Sequence, residues 1–233
     1  MYDHALATIA LAEAAQMTND GRYKKAALRA CDFIVFAQNP SHGGWRYQPR
    51  ADGDTSVLGW CAMALHSGKA LGYEVPERTR RSAIKWLERV TSGRHDGIAG
   101  YTNQKPRKSM TAQALFSRIL LGDEPDEDLI GEASAYLITD SPTSAAIDHY
   151  TWYYTSLALM QVQNHAWTRW NSQLRDHLVK LQRRSGELEG SWDMDANYGQ
   201  RAGRAYSTAL CTLTLEVYYR YLPMYSKAAP VKE

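Results

Sequence analysis

Charged and apolar positions alternate along this chain in blocks of helical period, and the blocks come in two kinds. Residues 3 to 17 place Leu6, Ile9, Ala10 and Leu11 at helical spacing, with Asp3 expected as the cap, and Thr18-Asn19-Asp20-Gly21 closes the block. Residues 22 to 38 set Ala26, Ala27, Ala30, Phe33, Ile34 and Ala37 on one face against Arg22, Lys24, Lys25, Arg29 and Asp32, which predicts an amphipathic helix stopped by Asn39-Pro40. The next block, from Asp54 to Leu71, carries almost no charge from Thr55 to Leu65 and predicts a helix buried on nearly all sides. Residues 76 to 91 return to a charged pattern, opening on Pro76 and setting Ile84, Leu87 and Val90 against Arg78, Arg80, Arg81, Lys85, Glu88 and Arg89.

The alternation continues. An apolar helix is predicted over 110–121, an acid-started one over 126–138, an aromatic one over 148–163, a charged one over 167–184 and a last one over 204–221, closed by Pro223. The starts of the buried helices at Thr55, Thr111, Thr151 and Ser207 lie 56, 40 and 56 residues apart, and the text around them repeats. A helical hairpin recurring at such a period predicts a solenoid or a closed ring of hairpins. Inner helices that read as apolar all round, as residues 55–65 and 207–217 do, favour the ring. The fold class expected is therefore all-α, an α/α toroid with alternating inner and outer helices. It is expected as one domain over residues 1–225 with a tail over 226–233, consistent with the C-terminal part of a longer chain.

Composition adds one feature to that picture. Fifteen tyrosines and seven tryptophans stand against three phenylalanines, and aromatic rings with a polar handle suit walls that are partly apolar and partly wet. The net charge of +2 is spread without a one-signed stripe, which argues against nucleic acid as a partner. Cys31, Cys61 and Cys211 lie far apart in apolar stretches, as reduced core thiols do. No apolar run approaches the ~20 residues that span a bilayer; peripheral contact with a membrane surface stays open, as does the oligomeric state. Met1 leads straight into Tyr2-Asp3-His4 and reads as an internal methionine, so an upstream targeting segment and the localisation stay open too.

The connecting loops carry a recognisable text. Gln38-Asn39-Pro40 leads to Gly43-Gly44-Trp45, and Gln182 leads to Gly190-Ser191-Trp192. A looser version runs from Gly97 to Thr111. A glutamine amide at the end of an outer helix can satisfy orphan carbonyls there, and a tryptophan stacked on it can tie that end to the next helix. These loops resemble the QW repeats of squalene-hopene and oxidosqualene cyclases, and the chain from Tyr2 to Pro223 looks like the α/α toroid of the terpene cyclase and protein prenyltransferase superfamily. Here the glutamine precedes the tryptophan by seven and by ten residues, one and four more than the usual pattern.

That resemblance implies an isoprenoid or other apolar small molecule as ligand and an aspartic acid as proton donor. The cyclases carry a D-x-D-D-T-A motif whose central aspartic acid protonates an alkene. Asp52-Gly53-Asp54-Thr55-Ser56 fits it in two registers. Anchored on the Asp-Thr pair, Gly53 stands where the acid should be; anchored on D-x-D, Asp54 is the acid and Thr55 replaces its neighbouring carboxylate. The motif is incomplete in both, which counts against cyclase activity, and Asp54 reads equally as a helix cap with Asp52 in the loop. The zinc set of the prenyltransferases is not assembled, because no cysteine lies near Asp148-His149, and neither a metal nor any other cofactor is expected. The thioester signature of the complement domains that share the fold is absent as well.

In a ring with parallel inner helices, the helix starts at His4, Asp54, Asp148-His149 and Arg201 to Tyr206 are expected to gather at one mouth. That mouth would open over an aromatic cavity built from Trp60, Trp152, Tyr153 and Tyr206. Tyr218, Tyr219, Tyr221 and Tyr225 are expected as packing at the closing end. Three functions stay in play. One is an isoprenoid-binding, cyclase-like protein with Asp54 as general acid; one is a non-catalytic toroid binding a protein or polysaccharide. The third is a carbohydrate-active barrel using carboxylates such as Asp3, Asp54 and Asp148.

Overall fold

The computed structural model describes residues 1–143 and 146–220, with the backbone alone at 219 and 220. The chain is mostly helical, and its contacts divide it into two compact units, Met1–Leu129 and Ile130–Glu233. Each is described by itself.

The first unit holds α1 (Tyr2–Thr18), α2 (Gly21–Ala37), α3 (Thr55–Lys69), α4 (Glu77–Val90) and α5 (Lys108–Leu120). Asp20 caps α2 through the Arg22 N–H at 2.8 Å. α1 packs against both α2 and α3, and α3 packs against α5. The uncharged run behaves as its pattern predicts, since every residue from Thr55 to Leu65 is buried. Along α5 the residues from Met110 to Leu120 are buried likewise, Arg118 included, whose guanidinium meets Asp123 at 2.6 Å. Gly59 sets the α3–α5 approach, because a β-carbon there would stand 2.8 Å from Gln113 Oε1. α2 buries only Ala27, Cys31, Ile34 and Ala37, the single stripe of an amphipathic helix.

Two expectations in this unit are corrected. Asp3 does not cap α1: the helix begins one residue earlier, with Met1 at the cap position, and Asp3 lies exposed in the first turn. Phe33 is exposed at the edge of α2, stacked on His4 with ring centres 4.8 Å apart. The unit also contains a strand pair that the helical pattern did not show, β1 (Thr91–Ser92) against β2 (Ile98–Ala99), antiparallel with Thr91 opposite Ala99. Two paired residues per strand leave no period to read.

α6 (Glu127–Leu137) starts at the end of the first unit and runs into the second. The second unit continues with α7 (His149–Val162), α8 (His165–Leu181), α9 (Gly199–Ala202), α10 (Arg204–Leu215) and α11 (Val217–Arg220). α7 is buried almost throughout, and it packs on α8 and α10. α8 starts two residues before the expected Trp167, because the Asn164 side chain accepts the Ala166 N–H at 3.0 Å. α10 departs from the reading of an inner helix apolar on all sides. It buries Ser207, Leu210, Cys211 and Thr214 on one stripe and exposes Ala205, Ala209 and Thr212. Alanine and threonine carry so little apolar area that a run of them looks buried in sequence yet tolerates water. Tyr218 packs on Trp167 with ring centres 5.4 Å apart and donates a hydrogen bond to Asn171. Tyr221, Pro223, Tyr225 and the 226–233 tail lie outside the described residues, as does the Tyr219 side chain.

The loops after α2 and α8 are built alike, one in each unit. Gln38 Nε2 donates to Gly43 O at 2.7 Å and Trp45 Nε1 to Ile34 O at 2.7 Å. Gln182 Nε2 donates to Gly190 O at 2.9 Å and Trp192 Nε1 to Leu178 O at 2.8 Å. Backbone bonds match as well: Asn39 N to Gly44 O and Gly43 N to Asn39 O in one loop, Arg183 N to Ser191 O and Gly190 N to Arg183 O in the other. Gly43 and Gly190 share a φ of 80°. The extra residues between Gln182 and Gly190 are absorbed in the turn without changing the staple. In the first unit Gln38 also donates to Thr79 O at 2.9 Å, which ties the end of α2 to α4. Trp45 O receives the Asp54 N–H at 2.9 Å, which sets where α3 begins.

Candidate functional site

The start of α3 holds the acid motif, and the two aspartates of that motif diverge. Gly53 packs against the Trp86 ring, so closely that a β-carbon there would meet indole Nε1 at 2.5 Å. Asp52 faces outward with 77% of its side chain exposed and meets His42 Nδ1 at 3.2 Å. It edges a shallow pocket of about 180 Å³ shared with His42, Trp86, Arg89 and Thr102, smaller than the ~300 Å³ at which ligand pockets ordinarily begin.

Asp54 turns inward and is fully buried. Its Oδ1 accepts the Val57 N–H at 2.8 Å, a normal N-cap. Its Oδ2 makes no well-formed hydrogen bond, with the Tyr101 hydroxyl facing the carboxyl and the Arg46 guanidinium 3.9 Å away. Burial pushes the Asp54 carboxyl above the ordinary carboxylate value, against the opposing pull of the Val57 N–H, the Tyr101 hydroxyl and Arg46. Burial, the Tyr47 hydroxyl and Asp54 together raise the Tyr101 phenol.

The loop before α5 reaches over this start. Thr55 Oγ1 donates to Gly100 O at 2.6 Å, and the Thr55 N–H donates to Tyr101 O at 2.9 Å. Thr111 at the head of α5 binds the same strand, accepting the Ala99 N–H at 2.9 Å. Tyr101 thereby comes above Asp54, and its hydroxyl lies 3.1 Å from that of Tyr47. Arg46, Tyr47, Tyr101 and Arg107 were not singled out in sequence. The signal was present: Tyr47-Gln48-Pro49-Arg50 and Tyr101 through Gln104, Pro106 and Arg107 repeat one text in two loops.

The remaining candidates of the first unit are His4 and Trp60. His4 Nε2 is bonded to Ala30 O at 3.0 Å and so pins α1 to α2. Trp60 is buried, its ring 5.6 Å from that of Tyr2.

In the second unit Asp148 and His149 come together with a residue that sequence reasoning missed, Asp195. Asp148 caps α7 through the Thr151 N–H and hydroxyl, both at 2.9 Å, and accepts from Asn197 Nδ2 at 3.2 Å. Asp195 is buried, its Oδ1 taking the N–H groups of Asn197, Tyr198 and Gly199 at 2.9 to 3.1 Å. Its Oδ2 lies 3.1 Å from His149 Nδ1 without hydrogen-bond alignment. Burial lowers the His149 pKa, opposed by Asp195 and Asp148. Trp152 stands between His149 and His177, edge-on to both at 5.5 and 5.7 Å. Tyr153 packs edge-on to Tyr154 at 5.2 Å, and Tyr206 is half-buried in the first turn of α10.

Among the described residues no group of three or more His, Cys, Asp or Glu side chains is placed to hold a metal ion. Among them also, no helix is long and apolar enough to cross a membrane. No family model, curated protein or solved structure matches the chain.

Proposed function

We propose that this chain is a helical-hairpin repeat protein of the α/α-toroid kind which works without catalysis, holding a macromolecular partner, a protein or a polysaccharide, on an exposed face. The observation that carries the reading is the divergence of Asp52 and Asp54, one 77% exposed and tied to His42, the other fully buried. Protonating an isolated alkene needs an acid strengthened by neighbouring carboxylates and hydrogen bonds around one proton. Asp52 is paired with His42, whereas Asp54 is held by the Val57 N–H and faces Arg46. The paired staples at Gln38–Trp45 and Gln182–Trp192 support the repeat architecture.

A second reading has one observation in its favour. Asp54 is a buried carboxyl at the start of an apolar helix, with burial favouring its protonated form, as a general acid toward an isoprenoid would require. Incubation with squalene and shorter isoprenoids separates the two, with products followed by mass spectrometry and binding by thermal shift. The non-catalytic reading expects neither turnover nor stabilisation. Turnover that disappears in Asp54→Asn would overturn it and establish the acid.

A further inference from the structure

Two loops of the first unit bring aromatic rings and cations together on one exposed face. Arg46 lies 6.0 Å from the ring centres of both Tyr47 and Tyr101, Arg107 lies 5.8 Å from Tyr101, and Arg50 lies 4.9 Å from Phe36. Proteins carry roughly one significant contact of this kind per 70–80 residues. Four in two adjoining loops are a local concentration. The Tyr47–Tyr101 hydroxyl contact joins the loops, and Tyr47 and Phe36 are 55% and 56% exposed.

Three cations of this face have no acid beside them. Arg50, Lys105 and Arg107 are exposed, and none has a carboxylate at ion-pair distance among the described residues. Arg46 faces only Asp54, at 3.9 Å on its buried side, and Asp52 is engaged by His42. The same two loops expose amides, Gln48, Asn103 and Gln104. A protein hot spot is built on an apolar centre from which water is excluded, and here the rings are accompanied by exposed cations and amides. The combination suits sugar rings that carry anionic groups: phenol faces pack against the C–H face of a pyranose, amides meet its hydroxyls, and guanidinium forks hold a carboxylate or sulfate at two points.

We propose that the face formed by Arg46, Tyr47, Arg50, Tyr101 and Arg107 binds an acidic polysaccharide. The inference rests on the non-catalytic reading and supplies the chemical class of its partner. Affinity electrophoresis and titration calorimetry on the full chain test it, with polygalacturonate and heparin as probes. Dextran serves as the neutral comparator, and phosphatidylglycerol-containing vesicles as a different anionic surface.

The expected result is binding to at least one of the two polyanions and none to dextran. Losing two charge-assisted contacts in the double variant Arg50→Ala/Arg107→Ala weakens that binding by about tenfold or more. Tyr47→Ala weakens it too, whereas Arg169→Ala/Lys180→Ala, which removes the same charge from α8, leaves it unchanged. Equal loss in both double variants would reduce the effect to bulk charge and overturn the proposal. So would absence of binding to both polyanions, or binding to the vesicles alone. Circular dichroism checks that each variant folds, and Arg107→Gln alone replaces the double variant if it does not. Isoprenoid turnover is read separately, so this proposal can fail while the non-catalytic reading stands.

Discussion

Asp54 holds two roles in one side chain, and they respond differently to substitution. One oxygen caps α3; the other sits buried opposite Arg46 and beneath Tyr101. Since burial raises the folded-state pKa above the ordinary 3.8, the folded chain binds this proton more tightly than the unfolded one. The stability this group confers is complete below 3.8 and is lost as pH rises through the raised folded value. Asp54→Asn keeps an oxygen for the Val57 N–H and removes the titration. Urea unfolding at a series of pH values from 3.5 to 7 is expected to show the wild type losing stability relative to the asparagine variant as pH rises. Asp54→Ala, which also removes the cap, costs about 1 kcal/mol more than the asparagine variant. A wild type that gains on the asparagine variant with rising pH would mean that Arg46 and the N–H groups outweigh burial, and the general-acid reading would go with it.

The staples are the elements most open to a paired experiment, because the same hydrogen bonds recur in different surroundings. Gly43 and Gly190 both have a φ of 80°, yet a β-carbon on Gly43 would stand 2.1 Å from Ser82 O, while one on Gly190 meets nothing within 4 Å. Gly190→Ala is expected to cost about 1–2 kcal/mol, the left-handed backbone penalty alone. Gly43→Ala adds a clash with the α4 backbone and is expected to cost clearly more. The tryptophans divide similarly. The Gln38 N–H passes over Ile34 O and bonds Val35 O, whereas the Gln182 N–H shares Leu178 O with Trp192. Trp45→Phe therefore takes a donor from a carbonyl that the Gln38 N–H does not reach, within the range of about 1–3 kcal/mol for an unsatisfied buried group. Trp192→Phe is expected to cost less. Thermal and urea denaturation of the four variants measure both contrasts, and equal costs within each pair would refute the argument.

Over the whole molecule, acid sensitivity is expected to come from one buried and two half-buried histidines, in both units. Burial lowers the pKa of His66, His149 and His177 from the usual 6.5. A histidine held below its unfolded value binds its proton less readily when folded, so the stability it contributes is present above 6.5 and is lost as pH falls through the depressed value. The thermal midpoint is expected to decline as pH drops from 6.5 toward 5, with a shallower decline in His149→Gln. An unchanged midpoint over that range would show that these rings accept charge in place.

The buried and amphipathic helices were legible because burial on all sides and burial on one stripe leave different periods, as α3 and α2 show. The pairs Gln38–Trp45 and Gln182–Trp192 were legible but their roles were not: the glutamine amides bond Gly43 O and Gly190 O in the loops, and it is the tryptophans that reach the helix carbonyls of Ile34 and Leu178. α10 was misread, since small residues carry too little apolar area to reveal which side is covered. The site was the least legible part. Asp52 and Asp54 are two residues apart in sequence and belong to different environments, one exposed beside His42 and the other buried at the start of α3. Asp195 lies 46 residues from His149 and meets it only through the folded loop. Sequence by itself determined the helical class, the element boundaries to within a few residues and the stapling pairs, all of which depend on neighbours a few positions away. Only the tertiary structure decided which carboxylate is buried, which histidine has an acid beside it and which arginines stand over rings, because burial, charge and ring contacts there are set by residues distant in the chain.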